Sequence, residues 1–228
     1  MKIGNTPADQ ANTIGKGYDL SRRRFFQLAG GVAGAGILFS ACRTTKPTDT
    51  YIGEGDVALL NFVYILQQVE AAFYTQAVST PYYSITQSEL QLLTDVRDQE
   101  IAHREFVQAL LGPNAIKPIN IAFSSVTFAD RSSTLTGAEQ LEELVISGLV
   151  GAAPLFVNTD YTKAFAKIVT VEARHSAYFR DDYSFNSFAD STVVGSNGIG
   201  QWASPSSVLG TAESRYILTR FDSSKLPN

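Results

Sequence analysis

Residues 100–103 read Glu-Ile-Ala-His and residues 172–175 read Glu-Ala-Arg-His, and these two stretches hold the only histidines of a 228-residue chain. Positions three apart share one face of a helix, so each Glu-x-x-His turns a carboxylate and an imidazole toward a common point. With ten glutamates in the chain, chance places one three residues before a given histidine about once in twenty. A matched pair therefore points to a metal centre held by two helices.

A di-metal site inside a helix bundle uses one further Glu from each of two other helices. The stretch from Leu59 to Tyr74 has apolar residues at 59, 62, 63, 66 and 73, which is helical spacing, and Glu70 falls inside that stripe. A carboxylate aimed into a core costs several kcal/mol unless a cation or hydrogen bonds satisfy it. In a third segment Ala138, Leu141, Val145, Leu149 and Ala152 form the apolar stripe, and Glu142 lies on it. Glu143 shares its face with Glu139 and Ser147 and is expected to be solvated. Glu70 precedes Glu100 by 30 residues and Glu142 precedes Glu172 by 30, so the chain reads as two copies of one helical hairpin.

The helix ends agree with four helices. Thr86-Gln87-Ser88-Glu89 is a capping box opening the second helix, whose core face runs Leu92, Leu93, Val96, Glu100, His103, Val107 and Leu110, and Gly112-Pro113 stops it. Thr136-Gly137-Ala138-Glu139 has the same form and predicts the start of the third helix, which Pro154 ends or kinks. The fourth is expected to begin near Asp160 and to turn Phe165, Ile168, Glu172, His175 and Phe179 inward. Residues 113–135 are too long for a tight turn and lack helical patterning.

On these residues the chain resembles the ferritin-like superfamily: an all-α four-helix bundle with one long crossover between helices 2 and 3, here with a C-terminal extension. The fragment Ile168 to His175 and the run Gly151-Ala152-Ala153-Pro154-Leu155 are similar to a bacterial group related to plant desiccation-associated proteins. The likeness covers residues 55–185. It implies that Glu70, Glu100, His103, Glu142, Glu172 and His175 are metal ligands, with Glu100 and Glu172 bridging. The chain departs from that group at Leu149, where tyrosine is common, and at Val145, where glycine is common. Those changes bear on substrate access and oxygen chemistry more than on metal binding.

Carboxylates with imidazole suit iron or manganese, and the absence of cysteine ligands argues against structural zinc. The expected cofactor is two Fe ions, with two Mn ions as the alternative, and O2 or hydrogen peroxide is the natural co-substrate of such a pair. The function expected is a di-iron oxidoreductase, a ferroxidase or a peroxidase or catalase-like enzyme, in oxidative-stress defence. A manganese-catalase-like activity is its near variant. The competing class is a non-catalytic envelope protein of stress or desiccation, in which the metals or only the fold serve structure, since fold alone establishes no activity. The chain has no Cys-x-x-Cys for a rubredoxin-like module as in rubrerythrin, and Met1 is its only methionine, so a methionine-ligated haem as in bacterioferritin is excluded. Tyr74 and Tyr178 lie near the ligands in sequence; core packing is the favoured role for both, a redox-active aromatic the alternative.

Ser21-Arg22-Arg23-Arg24-Phe25-Phe26-Gln27 resembles a twin-arginine export motif, with Arg22 and Arg23 as its pair. The apolar run from Phe25 to Ala41 is short and glycine-rich for a permanent span, so residues 1–41 read as a signal peptide. Cys42, the only cysteine, follows Ser40-Ala41 as in a lipoprotein cleavage box, which predicts a lipid anchor on Cys42 and a periplasmic or envelope location. An ordinary signal or an uncleaved anchor is the alternative. Cleavage there leaves 13 basic against 20 acidic residues, a net charge of −7 that argues against nucleic acid as a partner. A lipid-tethered chain with a long tail is not expected to build a hollow storage cage; a homodimer is compatible with it.

Residues 42–54 read as a polar tether and 55–185 as the bundle. Residues 186–228 are rich in Ser and Gly. They are expected to pack over the bundle, with Trp202 as anchor and a short helix over 206–218; a partner-binding tail is the alternative.

Overall fold

A computed structural model describes residues 49–228. Arg22, Arg23 and Cys42 lie outside the described residues.

Four long helices carry the fold: α1 (Gly55–Ser79), α2 (Gln87–Leu111), α3 (Arg131–Ala152) and α4 (Thr159–Tyr183). A shorter α5 (Pro205–Arg215) follows, and the two-residue strands β1 (Thr50–Tyr51) and β2 (Phe221–Asp222) pair in parallel. α1 packs chiefly against α2, and α3 against α4, so the two expected hairpins are present and meet through α1 and α3. Among the described residues the fold is all-α apart from that one small sheet.

α1 is the central helix. It is long and apolar enough to cross a membrane, but 89% of its most apolar window is buried inside the protein, so its composition is that of a helix enclosed on every side. Two amides in it hold the crossover between α2 and α3. Asn61 donates to the carbonyls of Ile52 and Asn114 and accepts from the Ile116 N–H, while Gln68 accepts from the Ile119 N–H. A loop covering a core needs such partners, because its buried backbone groups have no ladder of their own.

At α2 the Thr86–Glu89 capping box forms in both directions, and Gly112, at φ +53°, ends the helix. α3 differs from expectation. It begins at Arg131, not at Thr136, because the Asp130 carboxylate accepts from the Ser133 N–H at 2.7 Å and caps the helix one turn earlier. Thr136 and Glu139 consequently lie within the helix, and the crossover closes at Asp130. Arg131 fixes this start by bonding Glu89 and Asp182, each at 2.8 Å.

Glu139 and Glu143 are not simply solvated. Both bind the guanidinium of Arg180, a buried side chain at the end of α4. The same guanidinium donates to the Ser187 carbonyl, to Asp190 and to Thr192, so one cation joins α3, α4 and the start of the extension.

The extension packs on the bundle through Val208, Leu209 and Ala212 of α5 and through Tyr216, Ile217, Phe221 and Leu226, all buried. Trp202 is not its anchor and is 67% exposed. The physical reason is the backbone beside it: the Ala203 N–H donates to the Ser147 carbonyl, and a Cβ on Gly151 would sit 1.9 Å from the Ala203 oxygen. Main chain lies directly on α3 there, and the indole is left outside. The segment expected to be a tether also ends early. Thr50 and Tyr51 pair with the extension and Ile52 is fully buried.

Candidate metal centre

The six residues singled out in the sequence converge in the bundle interior. α1 supplies Glu70, α2 Glu100 and His103, α3 Glu142, and α4 Glu172 and His175. All four glutamates are 0% exposed, His175 is buried, and the His103 side chain is 14% exposed.

Each histidine meets the glutamate of its own helix and reaches the one on the opposite hairpin. His103 Nδ1 is 3.3 Å from Glu100 Oε2 and 3.1 Å from Glu172 Oε1. His175 Nδ1 is 3.4 Å from Glu172 Oε2, 2.9 Å from Glu100 Oε1 and 3.7 Å from Glu142 Oε1. Glu100 and Glu172 therefore sit between both imidazoles, while Glu70 and Glu142 flank them.

Five donor atoms in this cluster are buried without a hydrogen-bond partner: Glu70 Oε1, Glu100 Oε1, Glu142 Oε2, Glu172 Oε2 and His175 Nδ1. An unpartnered buried polar atom normally costs about 1–3 kcal/mol, so five in one place point to a bound group that completes them. The donor set fits a divalent cation. His175 Nε2 faces Gln99 Oε1 at 3.2 Å and Nδ1 faces the carboxylates, so an Nε2–H donating to Gln99 would leave Nδ1 for a cation. Gln99 is itself oriented by donating to the Asp95 carbonyl.

Two more side chains complete the surroundings. The Gln67 amide donates to Glu70 Oε2 at 2.5 Å and to Glu172 Oε1 at 3.1 Å. The Tyr74 hydroxyl donates to Glu142 Oε1 at 2.5 Å while its ring stacks on Phe179. Tyr74 thus packs in the core and also touches the centre; Tyr178 stands half-exposed against Phe179. Gln67 and Gln99 were not singled out in the sequence. The signal available for Gln67 was its place inside the apolar stripe of α1, one turn before Glu70. Val145 and Leu149 are buried core residues of α3.

Without a cation, protons balance the charges. Burial, then the facing carboxylates, hold Glu70 and Glu142 well above the usual carboxylate range. Burial opposes the charged form of both histidines, but the carboxylates of Glu100 and Glu172 outweigh it and push His103 and His175 up to about 10. Burial likewise works against the Glu172 charge, and the two imidazoles overcome it, leaving Glu172 at about 2. A cation entering this cluster would take over the role of those protons.

A family model described as a ferritin-like domain matches residues 55–183, from the first residue of α1 to the last of α4, a span that contains all six residues. Among curated proteins, no sequence matches the chain.

Proposed function

Because the chain belongs to the ferritin-like domain family, we propose that this cluster is a di-metal carboxylate centre, loaded with two iron ions, that acts on Fe(II) with O2 or on peroxide in oxidative-stress defence. The observation that carries the reading is the set of five unpartnered buried donors from four helices, which one pair of cations would satisfy together. Glu100 and Glu172, each within 3.4 Å of both imidazoles, are the residues placed to be shared between two ions, with Glu70 and Glu142 as terminal ligands. Carboxylate and imidazole donors suit iron or manganese, and either ion pair supplies the electron transfer that reduction of O2 or peroxide requires.

The chain's own residues would prepare the site. Gln99 fixes the imidazole of His175 so that Nδ1 faces inward, and Tyr74 steadies Glu142. The enclosing wall of α1 excludes bulk water. His103 keeps the one partly exposed edge of the six, the side from which a small oxidant reaches the centre. The export motif at Arg22 and Arg23 and the cysteine at Cys42 support an envelope location with a lipid anchor.

The test is turnover. Metal-loaded protein should oxidise Fe(II) or consume peroxide, and Glu100→Ala or His103→Ala should abolish this while circular dichroism shows an intact helical fold. A second reading, a non-catalytic envelope protein, draws on the proton balance described above, which lets the centre pack without an ion. Loaded wild-type protein that turns over neither substrate would favour it.

A further inference from the structure

The two halves of the centre come from two copies of one hairpin, yet they are not equivalent. Glu100 Oε1, Glu142 Oε2, Glu172 Oε2 and His175 Nδ1 are all without hydrogen-bond partners. One donor atom from each of these four residues lies within 4.8 Å of the others. The opposite half is engaged. His103 Nδ1 contacts Glu100 Oε2 and Glu172 Oε1, and the Gln67 amide N–H group holds both Glu172 Oε1 and Glu70 Oε2, leaving Glu70 Oε1 and the Gln67 oxygen itself without partners.

The difference is written in the repeat. Three residues before Glu70 stands Gln67, which turns inward; three before Glu142 stands Glu139, which turns outward to Arg180 at 3.1 Å. Four residues after Glu70 stands Tyr74, whose hydroxyl crosses to Glu142; four after Glu142 stands Ile146, which has no donor to return to Glu70.

We propose that the centre is two unequal cation seats filled in a fixed order: Glu100, Glu142, Glu172 and His175 form the first, tighter seat, and Glu70 with His103 closes a second seat that Gln67 keeps weaker. The first seat presents donors already gathered with no amide to displace, so an ion has only the contacts of His175 with its carboxylates to open. The second requires more: beyond the matching contacts of His103, Glu172 Oε1 and Glu70 Oε2 must give up the Gln67 amide. Preorganised donors bind more tightly than donors that must first be released. This inference rests on the di-metal reading above.

The test uses metal-free, folded protein titrated anaerobically with Co(II), a probe that needs no oxidant, and followed by native mass spectrometry and visible absorption. The expected result is a dominant one-ion species at one equivalent, with the two dissociation constants separated by about tenfold or more. Glu70→Gln should keep the first step and lose the second, whereas Glu142→Gln should lose the tight step. Both substitutions keep the side-chain shape, and thermal unfolding of the metal-free variants checks that they fold. Gln67→Met, which removes the amide at similar volume, should narrow the gap between the two steps. Two equal steps, or a tight step that survives Glu142→Gln and disappears in Glu70→Gln, would overturn the ordering while leaving a di-metal centre intact. A folded protein that takes up no Co(II) would overturn both readings.

Discussion

Nδ1 of His175, on α4, lies 2.9 Å from Glu100 Oε1, on α2, and no aligned hydrogen bond joins the two atoms. His103 and Glu172 make the reciprocal approach at 3.1 Å. Such facing atoms form an ion pair while a proton lies between them and become two ligand donors when a cation takes the proton's place. This crossed pairing ties the second helix of each hairpin to the other and defines the middle of the centre.

The centre should respond to pH through its protons. A histidine held at about 10 in the folded protein, against an ordinary value near 6.5, stabilises the metal-free fold fully below 6.5, and that stability is lost as pH rises through about 10. Glu70 and Glu142, raised by burial and like charge, add to the same trend. Metal-free protein should therefore lose thermal stability between neutral pH and about 10, and metal-loaded protein should not. Adding Mn(II) to the metal-free form in weak buffer should release protons, as a pH electrode will record; no release would contradict the protonated site.

Tyr74→Phe removes the donor that Glu142 Oε1 accepts from, in a position fully shut off from bulk solvent. Metal-free stability should fall by about 1–3 kcal/mol in urea unfolding, the usual range for stranding a buried polar group. An unchanged midpoint would mean that the hydroxyl contributes nothing to holding Glu142.

Gly151→Ala should loosen the extension. The added methyl would lie 1.9 Å from the Ala203 oxygen, which is backbone and cannot swing aside as a side-chain end could. Alanine gains about 1 kcal/mol in helix propensity, but overpacking of this kind costs about 1–3 kcal/mol. Net destabilisation is expected, with faster proteolysis between residues 186 and 204; unchanged cleavage would show that the contact does not hold the segment.

Arg180→Met should separate the same extension from the bundle at its other end. Glu139 and Glu143 would lose the cation between them, and the Ser187 carbonyl its donor. Removing one partner of a buried pair costs about 3–5 kcal/mol; here Glu143 and Asp190 keep partial solvent contact, so about 1–3 kcal/mol is expected. Arg180→Lys should not restore it, because an ammonium cannot span three carboxylates and a carbonyl with one planar fork.

The four helices and the residues that meet at their centre were legible because each carries its own signal. A glutamate inside an apolar stripe has no reason to be there without a partner, and the 30-residue spacing repeats. What was not legible depended on contacts between distant segments. The start of α3 was set by Asp130 together with Arg131 bonding Glu89 and Asp182, which no local pattern shows. Gln67 reads as an ordinary polar residue on a crowded helix until the fold brings Glu172 within reach. Arg180, near the C-terminus of α4, reads as a cation placed for the helix dipole, and its enclosure depends on Glu139 and Glu143 of α3 together with the folding back of residues 187–192. Trp202 misled because a large aromatic residue is expected inside, whereas at that point glycine lets the main chain occupy the space.

The most direct test is the metal content of the purified protein, measured by elemental analysis after purification without chelators or nickel affinity. The account predicts two ions per chain, iron or manganese, with Glu100→Gln or Glu172→Gln reducing the count. A folded wild-type protein that carries no metal, and takes up neither ion when offered, would contradict it.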